Sequence, residues 1–111
     1  MSVKIKKILM PTDFSKYSDY AMRYAATLAK DFGAELLILH VVPEGDLRSM
    51  YDYPSDFPLE QILNDQKKVA EQRFEEIVAE EEKRGIKVTP LVYMGKVYEE
   101  IIETAKNHEV D

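Results

Sequence analysis

Residues 34–42 read AELLILHVV. Apart from Glu35 and His40 every side chain is apolar, and no polar–apolar alternation is present. A strand with one face in water alternates; a strand covered on both faces does not, and that second situation belongs to the middle of a parallel sheet. Pro43, which has no N–H to give a ladder, closes the run.

The flanking segments then have to supply crossovers. Toward the N-terminus, Gly33 stands where a helix C-cap is expected and Ser15 where an N-cap is, with Lys16 to Phe32 between them. Along that helix Ala21, Tyr24, Ala25, Leu28 and Phe32 recur at spacings of three and four and predict the core-facing stripe. Before it, Val3 to Met10 carries a short apolar core, Ile8-Leu9-Met10, and stops at Pro11, which reads as strand then turn.

Toward the C-terminus, Glu44 to Pro58 holds Gly45, Pro54 and Pro58 among acidic and aromatic residues and predicts a long, mobile loop. Leu59 to Arg84 is helical in pattern, with Leu59, Ile62, Val69, Phe74, Ile77 and Val78 on one face and Gly85 at its end. Ile86 to Met94 (IKVTPLVYM) contains Pro90, which lacks a ladder donor and predicts an edge strand. After Gly95 a third amphipathic helix carries Val97, Ile101, Ile102 and Ala105. The order β-α-β-loop-α-β-α predicts right-handed crossovers and an open, doubly wound parallel α/β sheet. His108-Glu109-Val110-Asp111 falls where a further strand would begin, so the expectation is one domain over residues 1–111, cut short.

Composition narrows the function. With 45% hydrophobic and 32% charged residues the chain has a globular balance. No unbroken apolar run exceeds four residues, as at Leu36 to Leu39, which is far too short to span a bilayer, and Lys4, Lys6 and Lys7 precede too little apolar sequence for a signal peptide. No membrane partner is expected. The absence of cysteine excludes disulfides, thiolate nucleophiles and cysteine zinc sites, and makes a cytoplasmic location the default. A net charge of −6 argues against nucleic acid, whose phosphates demand clustered Lys and Arg.

In doubly wound sheets ligands lie beyond the carboxyl ends of the strands. Pro11-Thr12-Asp13-Phe14-Ser15 follows the first strand and combines a rigid turn, two hydroxyls, a carboxylate and the positive end of a helix. Asp13 could accept hydrogen bonds from a ribose or amine, or Asp13 and Ser15 could simply cap the helix. The nucleotide motifs G-x-G-x-x-G and G-x-x-x-x-G-K-[ST] do not occur. A receiver-type phospho-aspartate is excluded because Tyr93, Met94 and Gly95 stand at the end of the third strand. His40 ends a buried strand without a His/Cys/carboxylate cluster, which favours a core or site-lining imidazole over a metal ligand. Tyr51, Tyr53 and Phe57 could form a lid or pack their loop onto the body. Glu80, Glu81 and Glu82 read as a solvated helix face.

The stretch KKILMPTDFS (residues 6–15) resembles the opening of universal stress proteins, and the helix with Tyr24-Ala25, the strand ELLILHVV, the long loop and Gly95-x-x-x-x-x-Ile101 follow in the same order. The resemblance implies a five-stranded parallel sheet of order 3-2-1-4-5, of which strands 4 and 5 are absent from these residues. It implies adenosine held at the ends of strands 1 and 2 by Pro11, Asp13 and the backbone of Val41, with Thr12 nearby. The family's glycine-rich phosphate loop follows strand 4, beyond Asp111. ATP, with or without Mg2+, is the implied cofactor, weakened or lost without that loop. A homo-oligomer is implied too, family dimers pairing through strand 5, while an uncovered first strand predicts an unstable or self-associating chain. The leading expectation is a stress-response module that binds ATP or AMP. The alternatives are a nucleotide-independent dimerising stress protein acting through protein contacts, and a slow ATPase, for which no base is identifiable.

Overall fold

A computed structural model describes residues 4–50 and 53–111. Seven elements follow one another: β1 (Lys7–Pro11), α1 (Lys16–Phe32), β2 (Glu35–Val42), α2 (Glu44–Met50), α3 (Leu59–Lys83), β3 (Val88–Met94) and α4 (Val97–Asn107). The three strands are parallel in the order β1-β2-β3. Thus AELLILHVV is the central strand. Its pairing runs from Lys7 opposite Glu35 to Pro11 opposite Leu39 on one side, and from Leu36 opposite Val88 to Val42 opposite Met94 on the other.

Helices cover both faces, so both sets of alternate β2 side chains are buried. Leu36 and Ile38 face α1 and α3, in one cluster with Ala25, Ala26, Ala29, Phe74, Ile86 and Val88. Leu37 and Leu39 are equally sealed, 2% and 0% exposed. The α4 helix lies against β2. At the far end Val42 forms a second cluster with Leu59 and Leu63. Pro90 sits in β3, which among the described residues pairs only with β2 and is the edge strand predicted. Among the described residues no helix is long and apolar enough to cross a membrane.

Four sequence readings need correction. The core face of α1 is Ala25, Ala26 and Ala29, whereas Tyr24, Leu28 and Phe32 are 74%, 48% and 43% exposed. Alanines let the helix approach the sheet closely, and the larger residues rotate outward. On α3, Ile62 and Val69 are exposed and the core takes Leu63 and Ala70 with Leu59 and Phe74. The same rotation buries Glu81, two turns after Phe74, so the acidic triplet is not all solvated. Its Oε1 lies 3.6 Å from an Arg84 nitrogen, and its Oε2 has no hydrogen-bond partner among the described residues.

The fourth correction concerns the loop. Its first half is the helix α2, despite Gly45. A Cβ at Gly45 would lie 2.6 Å from Lys96 Cγ and 3.1 Å from Lys96 N, so only glycine lets α2 settle on the β3–α4 turn. Gly45 N–H donates to Gly95 O at 3.1 Å, and Asp46 Oδ2 accepts from the Val97 amide at 3.1 Å, capping α4 from another element. Gly45→Ala is therefore expected to lower stability by about 1–2 kcal/mol in urea unfolding, although alanine is ordinarily the better helix former. A stabilised variant would contradict this docking. Farther along, Tyr53 and Phe57 stack at 4.7 Å and Tyr53 packs beside Leu59 and Leu63, the packing role of the two readings. Tyr51 lies outside the described residues.

Candidate functional site

The turn between β1 and α1 is built from side chains that satisfy its own backbone. Thr12 N–H extends the β1–β2 pairing by donating to Leu39 O at 2.8 Å. Phe14 takes the left-handed conformation, φ +63°, and its N–H donates to Thr12 Oγ1 at 3.0 Å. That conformation is strained for a bulky residue and persists only where its surroundings hold it. They do so here. The Phe14 ring lies 4.6 Å from the His40 ring and 5.3 Å from Phe74, with the Arg73 guanidinium 4.8 Å from its centroid. His40 Nδ1 is 2.8 Å from Thr12 O; a carbonyl only accepts, so Nδ1 carries the proton.

Ser15 is the N-cap of α1, its Oγ accepting from Ser18 N–H at 3.2 Å. Asp13 is not that cap. Its Oδ1 accepts from Ser15 N–H at 2.9 Å and from Ser18 Oγ at 2.7 Å, while Oδ2 has no partner among the described residues. The Ser15 hydroxyl, the Ser18 hydroxyl and the Ser15 amide, in that order, hold the Asp13 carboxyl down at about 2. It is a fixed, exposed anion with one oxygen free.

Pro11, Thr12, Asp13 and Val41 all line one cleft of about 370 Å³ at the carboxyl ends of β1 and β2. Leu39, Pro43, Val97 and Ile101 give it an apolar wall, and Ser18 and His40 join its rim. Alternation along β2 fixes where the Val41 backbone points. Glu35 N–H donates to Lys6 O and Leu39 O accepts from Thr12, so odd-numbered residues bond toward β1. Leu36 N–H donates to Lys87 O and Val42 O accepts from Gly95, so even-numbered residues bond toward β3. Val41 thus directs its N–H and C=O to the β1 side, two residues past the last bond that the β1 segment makes. One donor and one acceptor stand side by side at the cleft.

Sequence reasoning missed Ser18, Val97 and Ile101 as cleft residues. Ile101 carried a signal in the apolar stripe of its helix, whereas Ser18 lies five positions from Asp13 with no motif to mark it. A larger groove of about 500 Å³ runs between α3 and β3 past Phe74, Val78, Pro90 and Val92. Its polar lining is Lys67, Glu71, Glu75 and Glu82, all side chains of α3, whereas Pro11, Thr12, Asp13 and Val41 meet at the strand ends in the smaller cleft, which is the candidate site. Among the described residues no cluster of three His, Cys, Asp or Glu side chains is arranged to hold a metal ion.

The universal stress protein family model matches residues 4–111. The chain belongs to the universal stress protein family. It is 30% identical over 122 aligned residues to universal stress protein MJ0577 of Methanocaldococcus jannaschii, covering all of this chain and 75% of that one. Universal stress protein MJ0531 of the same organism is 29% identical and is spanned over 61% of its length. Among solved structures, that of MJ0577 superposes with a TM-score of 0.76 at 31% identity, over 98% of this chain and 72% of that one. UspA from Lactobacillus plantarum superposes with a TM-score of 0.86 at 23% identity, over 99% of this chain and 75% of that one, which shows the shared fold. The universal stress proteins are a stress-response family with a Rossmann-like sheet, and β1-β2-β3 is part of that sheet.

Among the described residues, three carboxylates held below their reference values contribute to the acid response of this family member. Besides Asp13, Glu35 is lowered chiefly by the Thr89 hydroxyl, and Asp111 by the amides of Lys6 and then Lys7. Each folded value lies below its reference of 4.5 for Glu35 and 3.8 for the aspartates. Their contribution is therefore complete above those references and disappears as pH falls through the folded values. Urea midpoints are expected to be level above pH 4.5 as far as these groups act, and to fall from there toward pH 2. An unchanged midpoint at pH 3 would contradict the assignment.

Proposed function

We propose that this universal stress protein binds an adenine nucleotide, ATP or AMP, in the cleft beyond β1 and β2, as part of a stress-response regulatory role. The observation that carries the reading is the convergence of an apolar slot, the paired N–H and C=O of Val41, and the free Asp13 oxygen in one cleft of about 370 Å³. That volume is at the small end for ligand pockets and suits a nucleoside. A purine stacks on the apolar wall while its polar edge meets the Val41 donor and acceptor. Asp13 Oδ2 accepts from ribose hydroxyls, and the Ser15 and Ser18 bonds to Oδ1 hold it in that orientation. Pro11 and Thr12 shape the floor. The described residues offer no glycine-rich turn at the cleft for the phosphates, so base and ribose dominate the recognition they provide.

Calorimetric titration of the chain with ATP and Mg2+, with GTP and Mg2+ as control, tests this. Guanine presents its donor and acceptor in reversed order, so heat is expected with ATP and not with GTP at the same concentrations. Equal heats, or none from either, would reject the reading. The second reading, a stress protein acting through protein contacts without nucleotide, is favoured by one observation: three tyrosines of α1 stand in solvent, Tyr17, Tyr20 and Tyr24.

A further inference from the structure

The α1 helix is apolar on two opposite faces. Ala25, Ala26 and Ala29 close on the sheet, while Tyr17, Tyr20, Tyr24 and Leu28 are 85%, 59%, 74% and 48% exposed. Their spacings of three, four and four put them in one stripe along the helix. Arg23 adds its guanidinium 5.6 Å from the Tyr20 ring. The stripe offers roughly 550 Å² of mostly aromatic surface, at the top of what monomers ordinarily leave exposed.

The stripe is self-complementary. Lys16 and Tyr17 stand at its start and Asp31 lies one turn past Leu28, all on exposed positions. If a second α1 lies antiparallel with a two-fold axis at Tyr24, then Tyr24 meets Tyr24, Tyr20 meets Leu28, and Lys16 with Tyr17 meets Asp31 at both ends. A parallel arrangement would set Lys16 against Lys16 and Asp31 against Asp31. Complete occlusion of both stripes would bury at most about 1,100 Å², the size of a transient contact and short of an obligate one.

We propose that the tyrosine face of α1 is a self-association surface on which a second copy of this chain docks its own α1 in the antiparallel sense. The contact is isologous, built on aromatic side chains that lose little conformational freedom on docking. It uses neither the cleft nor the outer edge of β1, where Asp111 N–H bonds Lys7 O. It therefore holds whether or not nucleotide binds.

Sedimentation equilibrium of the 111-residue chain tests the surface. A monomer–dimer equilibrium with a Kd on the order of 10 µM is expected at low salt. Tyr24→Lys, at a position too exposed to disturb folding, is expected to raise Kd at least about 30-fold. Asp31→Lys and Lys16→Asp are each expected to raise it roughly two- to five-fold, and the double exchange to restore it. A chain that stays monomeric up to about 500 µM would overturn the proposal and leave the face to a different protein. So would a dimer indifferent to Tyr24→Lys, which would point to pairing elsewhere, the β1 edge first. Failure of the double exchange to restore Kd would reject the antiparallel register.

Discussion

Replacing Phe74 with alanine is expected to lower stability by about 3–5 kcal/mol, a large share of what a domain of this size possesses. Phe74 is 1% exposed and touches the Ala25, Ile38 and Val88 cluster from the α3 side. The lost ring leaves a cavity that the helices can fill only in part, because β2 is fixed by ladders on both sides. The consequence reaches the site. Phe74 is one of the two rings that seat Phe14 in its left-handed conformation, 5.3 Å away. Thermal and urea unfolding measure the stability loss, and the Phe14 and Thr12 amide signals report the turn. A loss below about 1 kcal/mol would mean that the core repacks and that Phe14 does not depend on it.

Asp13→Ala is expected to cost roughly tenfold in affinity for ATP or AMP, the usual scale for one charge-assisted hydrogen bond. The fold should survive, since Asp13 is exposed and Ser15, not Asp13, is the α1 cap. Asn at position 13 keeps the shape and the Ser15 contact without the charge, so Asp13→Asn should fall between the two. Calorimetry on all three proteins measures this series. Equal affinities in folded variants would return Asp13 to a purely local part in the turn.

The sheet was legible because its chemistry is simple. AELLILHVV carries nothing but its burial on two faces, and Pro90 announces an edge because a central strand has no place for a missing donor. Gly33 reads as a C-cap and is one, at φ +63°. The cleft was legible in part, through the position of Pro11, Thr12 and Asp13 at a strand end and through the family likeness for Val41. What escaped depends on distances between elements. Gly45 reads as a helix breaker until Lys96 is seen against it. Tyr24 and Leu28 fit the helical period as well as Ala25 and Ala29 do, and periodicity cannot tell which of two apolar stripes faces the sheet. Glu81 is polar by identity and buried by rotation. Asp46 caps a helix 51 residues away, a pairing no local rule anticipates.

Titration of the isotope-labelled chain with AMP, followed through its backbone amide resonances, tests the nucleotide cleft most directly. Saturable shifts are expected at Thr12, Asp13, Ser18 and Val41, with Val78 and Val92 of the larger groove unmoved. Shifts centred on that groove, or none at millimolar AMP in a folded protein, would contradict the nucleotide cleft.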